Sequence, residues 1–132
     1  MNEINPKKLL EAAAHVMEKA YAPYSKFRVG AALMTEDGAI VTGCNVENSS
    51  FGLTNCAERT AVFSAIASGK MKFTAIAIVA DGNQKPYPCG ACRQVLAEFC
   101  PPDLPVFVAS KGNLSTFEHS TLGELLPKTF RL

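Results

Sequence analysis

The sequence predicts an α/β protein in three layers, a mixed sheet of about five strands with helices on both faces. Three observations lead there. Segments of helical and strand period alternate along the chain in the order αββαβαβ. Phe73 to Ala80 is a nearly continuous apolar run, as a central strand covered on both sides requires. At 132 residues, with 48% hydrophobic and 19% charged, the chain can bury a proper core as one domain, 1–132.

Asn5-Pro6 starts the first helix, a capping side chain followed by proline at the first helical position. Leu9, Leu10, Ala13, Val16, Met17 and Ala20 then recur at helical spacing and give it one apolar face. Ala22-Pro23-Tyr24-Ser25 ends it. Val29 to Met34 and Ala39 to Cys44 flank Glu36-Asp37-Gly38, whose Asp-Gly pair signals a hairpin. A loop rich in Asn, Ser and Gly runs from Asn45 to Asn55.

Cys56 to Ser68 reads as a second helix, capped at its start by Asn55 or Thr54 and at its end by Gly69. Its apolar contacts are Val62, Phe63 and Ile66. After the central strand, Asp81 to Pro88 is a loop. Cys89 to Phe99 is a third helix with Val95, Leu96 and Phe99 buried, stopped by Pro101-Pro102. Val106-Phe107-Val108 is another buried strand. The remaining pattern supports a strand near Ser115 to Glu118 and a helical turn at Leu122 to Leu126.

Composition narrows the partners. The net charge is +1 and no run of Lys or Arg occurs, which argues against a polynucleotide ligand. The longest apolar stretches are strand-sized, too short to span a bilayer. The first residues carry charged groups and no apolar core, so no secretory signal is expected. Five cysteines, an odd count, then read as reduced thiols or metal ligands in the cytoplasm.

The chemistry sits in those cysteines. Cys89 and Cys92 are three apart at a helix start, so both thiols project from one side of its first turn. Cys56 opens the other internal helix. Unpaired N–H groups and the positive dipole end favour thiolate at such positions. Three sulfurs leave one position of a tetrahedral metal open, whereas a structural site would close with a fourth ligand. Cys44 or Cys100 could supply that ligand, but each follows a strand or helix end, and the default for both is a small buried hydrophobe. His15 and His119 have no metal-like neighbours. Glu58, two residues after Cys56, is placed to act as a general base without being a ligand. Arg59 and Arg93 adjoin the cluster and offset its negative charge.

Cys56-Ala57-Glu58 followed by Pro88-Cys89-Gly90-Ala91-Cys92 resembles the signature of the zinc-dependent nucleobase deaminases in its three-cysteine form. Tyr21 to Phe27, Gly43 to Asn48, Asn55 to Ala61, Cys92 to Val95 and Leu125 to Pro127 resemble the small homotetrameric bacterial cytidine deaminases. The resemblance covers Tyr21 to Phe130.

It implies zinc at Cys56, Cys89 and Cys92, with Glu58 moving protons between an activated water and cytosine N3 and the departing amino group. It implies further that main-chain groups at Ala57 and Cys89 hold the pyrimidine edges, Phe27 packs on the ring, and Asn45 and Glu47 bind ribose hydroxyls. Arg59 would hydrogen-bond a ligand sulfur. Phe51, where these enzymes often have tyrosine, and Phe130, in a short tail, would approach substrate in a neighbouring subunit. The implied reaction is cytidine or deoxycytidine to uridine or deoxyuridine plus ammonia, in pyrimidine salvage. Two rivals remain: a deaminase of another aminopyrimidine nucleoside such as blasticidin S, and a non-catalytic zinc-stabilised binding module.

Overall fold

Strand direction decides where the chain's loops gather. A computed structural model describes residues 3–132. In order, the elements are α1 (Pro6–Met17), β1 (Val29–Thr35), β2 (Ile40–Cys44), α2 (Ala57–Ala67), β3 (Phe73–Ala80), α3 (Gly90–Phe99), β4 (Pro105–Ser110), β5 (Asn113–Thr121) and α4 (Leu122–Leu125), with a single 3-10 turn at Phe51–Leu53 before α2. The strands form one sheet in the order β2-β1-β3-β4-β5. β1 is antiparallel to both β2 and β3, so β2 and β3 run the same way and end at the same edge. Each of those ends feeds a helix, α2 after β2 and α3 after β3. Both helix N-termini therefore open on one edge, beside the beginning of β1.

Alternation along the strands builds a core on each face. Ala31, Leu33, Ile76, Ile78, Val106 and Val108 point to the layer of α2 and α3. Ala32, Met34, Ala75, Ala77, Val79 and Phe107 point to α1. The expected three layers are present. α1 is capped as expected, Asn5 Oδ1 accepting from the Lys8 N–H at 3.2 Å, with Leu9, Leu10, Ala13 and Met17 buried. β5 is longer than the Ser115–Glu118 segment read from sequence, because the hairpin from β4 carries ladder pairing out to Thr121. No helix among the described residues is long and apolar enough to cross a membrane.

Two sequence expectations fail here for local reasons. Phe63 does not join the core; it is 49% exposed. α2 buries Ala57, Glu58, Ala61, Val62 and Ala65, and one further step of about 100° turns Phe63 away from the sheet. Neither Asn55 nor Thr54 caps α2. The cap position belongs to Cys56, while Asn55 Nδ2 donates to Thr60 Oγ1 at 3.1 Å and Thr54 Oγ1 accepts from the Asn48 N–H at 3.2 Å.

Gly43 fixes how near α2 lies to the sheet. A β-carbon there would lie 2.4 Å from the Ala61 nitrogen and 2.7 Å from the Ala57 carbonyl oxygen. Those are helix backbone atoms and cannot swing aside. Gly43→Ala should therefore push α2 outward and cost about 1–3 kcal/mol, as overpacking does. Urea denaturation measures this, and an unchanged midpoint would show that α2 is free to shift.

Candidate active site and metal centre

The metal-binding geometry follows from helix-start positions. Cys89 is the N-cap residue of α3, and Cys92 is the third residue of that helix. Side chains at these two positions meet across the first turn, as they do in capping boxes, and their sulfurs lie 3.5 Å apart. Cys56 is the N-cap residue of α2. Its sulfur lies 3.9 Å from that of Cys89, and all three sulfurs fall within 4.8 Å of one another. Arg59, the third residue of α2, repeats the relation: its Nη2 donates back to Cys56 Sγ at 3.2 Å.

Cys44 and Cys100 stand apart from this cluster. Cys44 pairs with Gly30, on the α1 side of the sheet. Cys100 is packed in the opposite core, where burial pushes its thiol up to about 12. Neither histidine joins the cluster. His15 is exposed on α1, and His119 lies against Phe107 with ring centres 4.8 Å apart.

Charge at the cluster is uneven. The neighbouring Cys92 thiol and the Arg59 guanidinium push the Cys56 thiol down to about 5. The buried Cys92, beside that thiolate, is pushed up and keeps its proton. A cation at the three sulfurs would release it. Arg59 Nε is buried without a hydrogen-bond partner, so the thiolate is the main answer to this guanidinium. Arg93 does not share the task. Its Nε donates to the Pro88 carbonyl at 2.7 Å and its Nη1 to the Leu125 carbonyl at 2.6 Å, tying α3 to α4.

Next to the sulfurs lies an open cavity of about 280 Å³. Cys56, Ala57, Glu58 and Cys89 form its floor from the two helix starts. Glu58 is only 5% exposed, and burial, helped by the Cys56 thiolate, raises its carboxyl to about 7. Phe27, Asn45 and Glu47 line the same cavity. Asn45 is a buried clamp: its Oδ1 accepts from the Val29 N–H and its Nδ2 donates to the Phe27 carbonyl, both at 2.9 Å. Glu47 is half-buried and already holds the N–H groups of Tyr24 and Ser25 and the Ser25 hydroxyl, which lower its carboxyl.

Two of the sequence candidates lie outside this wall. Phe51, 77% exposed, borders an adjoining hollow with Tyr24 and Thr54. Phe130 is 68% exposed near the chain end, its carbonyl accepting from Gln94 Nε2 at 3.3 Å. The structure also adds wall residues that sequence reasoning missed: Ser25, Val29, Thr54, Pro86 and Tyr87. Ser25 lies inside the Tyr21–Phe27 motif and Tyr87 immediately precedes Pro88, and that placement was the available signal.

The model of the cytidine and deoxycytidylate deaminase zinc-binding region matches residues 4–108. The chain belongs to the cytidine and deoxycytidylate deaminase family. A cytidine deaminase from Sporosarcina psychrophila is 51% identical over 125 residues, 94% of this chain and 90% of that one. The crystal structure of cytidine deaminase from Burkholderia pseudomallei, 50% identical, superposes with a TM-score of 0.89 over 96% of this chain and all of that one. A blasticidin-S deaminase from Bacillus cereus is more distant, 30% identical over 131 residues, 90% of this chain and 87% of that one.

The donor set fits the family's metal. Tetrahedral zinc with zinc–sulfur bonds of ~2.3 Å spaces its sulfurs about 3.8 Å apart, close to the 3.5 and 3.9 Å found here. Replacing Cys56, Cys89 or Cys92 singly by Ala should abolish tight zinc binding. Cys44→Ala and Cys100→Ala should each keep one zinc per chain. Metal analysis of purified protein checks both, and zinc lost from either of the last two would point to a closed four-thiol site.

Proposed function

We propose that this chain catalyses the hydrolytic deamination of cytidine, and of deoxycytidine, to uridine or deoxyuridine and ammonia, with zinc as cofactor, in the reuse of pyrimidine nucleosides. One observation carries the reading. A buried carboxyl that is no part of the sulfur cluster, Glu58, shares a cavity wall with two of its three sulfurs. A purely structural zinc site has no use for it.

Zinc at Cys56, Cys89 and Cys92 would supply an acidified water as nucleophile. Glu58, which is no part of the sulfur cluster, would accept a proton there and hand it to N3 as water adds at C4 of the pyrimidine. It would then carry a second proton, from the hydroxyl added at C4, to the amino group, which leaves as ammonia as the C4 carbonyl forms. A carboxyl raised to about 7 suits a group that must both accept and donate. Main-chain groups at Ala57 and Cys89, where the helices leave N–H groups without intrahelical partners, hold the pyrimidine edges. Phe27 packs on the ring. Asn45 keeps one amide N–H beyond its clamp for a ribose hydroxyl, and Glu47 accepts from another. Arg59 offsets the charge of the ligand sulfurs.

The reading treats residues 1–132 as one deaminase domain, supported by two cores sharing a single sheet. Reduced thiols as ligands suit the cytoplasm. Glu47 selects nucleoside over nucleotide: a phosphate brought near its carboxylate would be repelled, and no cation lies between Asn45 and Phe51.

A spectrophotometric assay with cytidine and CMP tests the proposal. Cytidine should be consumed and CMP spared. Glu58→Gln should keep its zinc while losing at least about 10²-fold in kcat, the usual contribution of an acid–base group. Near-normal turnover by that variant would end the mechanism, and equal turnover of CMP would end the nucleoside assignment.

The chain is also read as a homotetramer whose cavities are completed by neighbours. Its cavity is open, and Tyr24, Phe51, Leu53, Phe63 and Phe130 are large apolar groups left at the surface. Phe130→Ala should then raise KM without removing zinc. Sedimentation of the wild type as a fully active monomer would contradict the assembly.

A further inference from the structure

We propose that Glu118 is a positioning residue for the substrate cavity, acting through Tyr87, whose ring it holds as an aromatic wall. The inference rests on the cavity being the nucleoside site. Tyr87 and Pro86 line that cavity from the connection between β3 and α3, which has no regular structure of its own. Tyr87 is 41% exposed, so packing alone does not hold its ring. Its phenol donates to Glu118 Oε1 at 2.5 Å, and Lys85 Nζ lies 3.1 Å from Glu118 Oε2. One carboxylate on β5 therefore holds the phenol by a hydrogen bond, with the partly exposed Lys85 ion pair a weak contact beside it.

Sheet register is what aims this carboxylate. Glu118 pairs with Val108, which belongs to the core under α2 and α3, the layer that carries the cavity. Its neighbours Phe117 and His119 lie against Phe107 on the other face, with ring centres 5.7 and 4.8 Å away. A slip of one residue would send Glu118 to the α1 side. At the far end of the same connection, Asp81 receives Arg28 through Nε at 2.8 Å and Nη2 at 3.1 Å. The connection is pinned at both ends. Between them Gly82, Asn83 and Gln84 are exposed. Tyr87 joins Phe27 as a second aromatic of the cavity, and its position depends on a bond reaching from the sheet's far edge.

A double-mutant cycle tests the latch. Tyr87→Phe removes the donor and Glu118→Ala the acceptor. Each should raise KM for cytidine and Kd for uridine by about threefold to tenfold, as loss of a charge-assisted hydrogen bond would, with kcat within twofold and zinc unchanged. The double variant should be no worse than either single one, since both break one interaction. Glu118→Gln, which keeps an acceptor at the same reach, should recover most of the loss. Lys85→Met should stay within twofold of wild type. Amide exchange over residues 82–87 should quicken in Tyr87→Phe and Glu118→Ala without any ligand present.

Wild-type KM in either single variant overturns the latch, as do effects that multiply in the double variant. So does a Lys85→Met variant that reproduces the Glu118→Ala defect. A wild type that fails to deaminate cytidine would instead overturn the functional reading, and the exchange measurement would still decide whether Glu118 holds Tyr87.

Discussion

Two helix N-termini facing each other at one edge of the sheet are the constraint on which the site depends. Each brings unpaired N–H groups and the positive end of a dipole, and each presents a thiol at its cap position. The antiparallel pairing of β1 with both neighbours makes β2 and β3 end together. The missing side chain at Gly43 sets the depth of one helix. Cap and third positions then gather sulfur on α3, and sulfur with guanidinium on α2. No long-range coincidence is needed beyond the strand order.

Charge explains why the arginines divide their work. Three thiolates holding a divalent cation would leave an excess of one negative charge, which would oppose acidification of a bound water. Arg59, touching Cys56 from within the same helical turn, counters this without occupying the cavity. Arg93, one residue past Cys92, is directed by its two carbonyl acceptors toward the α3–α4 junction instead. Adjacency in sequence did not distinguish the two. The helical step did: one sits three residues after its cysteine and the other only one.

Periodicity made the layers legible, since β3, β4 and α1 carry patterns strong enough to identify alone. Short motifs made the gathering of three sulfurs, with Glu58 beside them, legible because cap-position geometry is local. What stayed hidden was tertiary. The exposure of Phe63 depends on how α2 is rotated against Gly43. Asn45 is chiefly a clamp across Phe27 and Val29, a role that no loop composition announces. Glu47 is half-buried and held by the main-chain donors of Tyr24 and Ser25, partners more than twenty residues away that no local pattern announces. Pro86 and Tyr87 line the cavity from an irregular connection whose hydrogen bond to β5 spans 31 residues of sequence.

The small residues beneath α1 give the protein's divergence a direction. A β-carbon on Gly30 would fall 2.0 Å from the Ala13 carbonyl oxygen, and Ala32, Ala75 and Ala77 are fully buried on the same face. The opposite core holds Leu33, Ile76, Ile78, Val106 and Val108. Branched aliphatics can be exchanged for one another at modest cost when volume is kept, whereas Gly30, Ala32, Ala75 and Ala77 can only grow, in a face already filled by Met34, Val79 and Phe107. Lineages descended from this chain would therefore vary more readily at Leu33, Ile76, Ile78, Val106 and Val108 than at Gly30, Ala32, Ala75 and Ala77, with Gly43 a fixed point under α2.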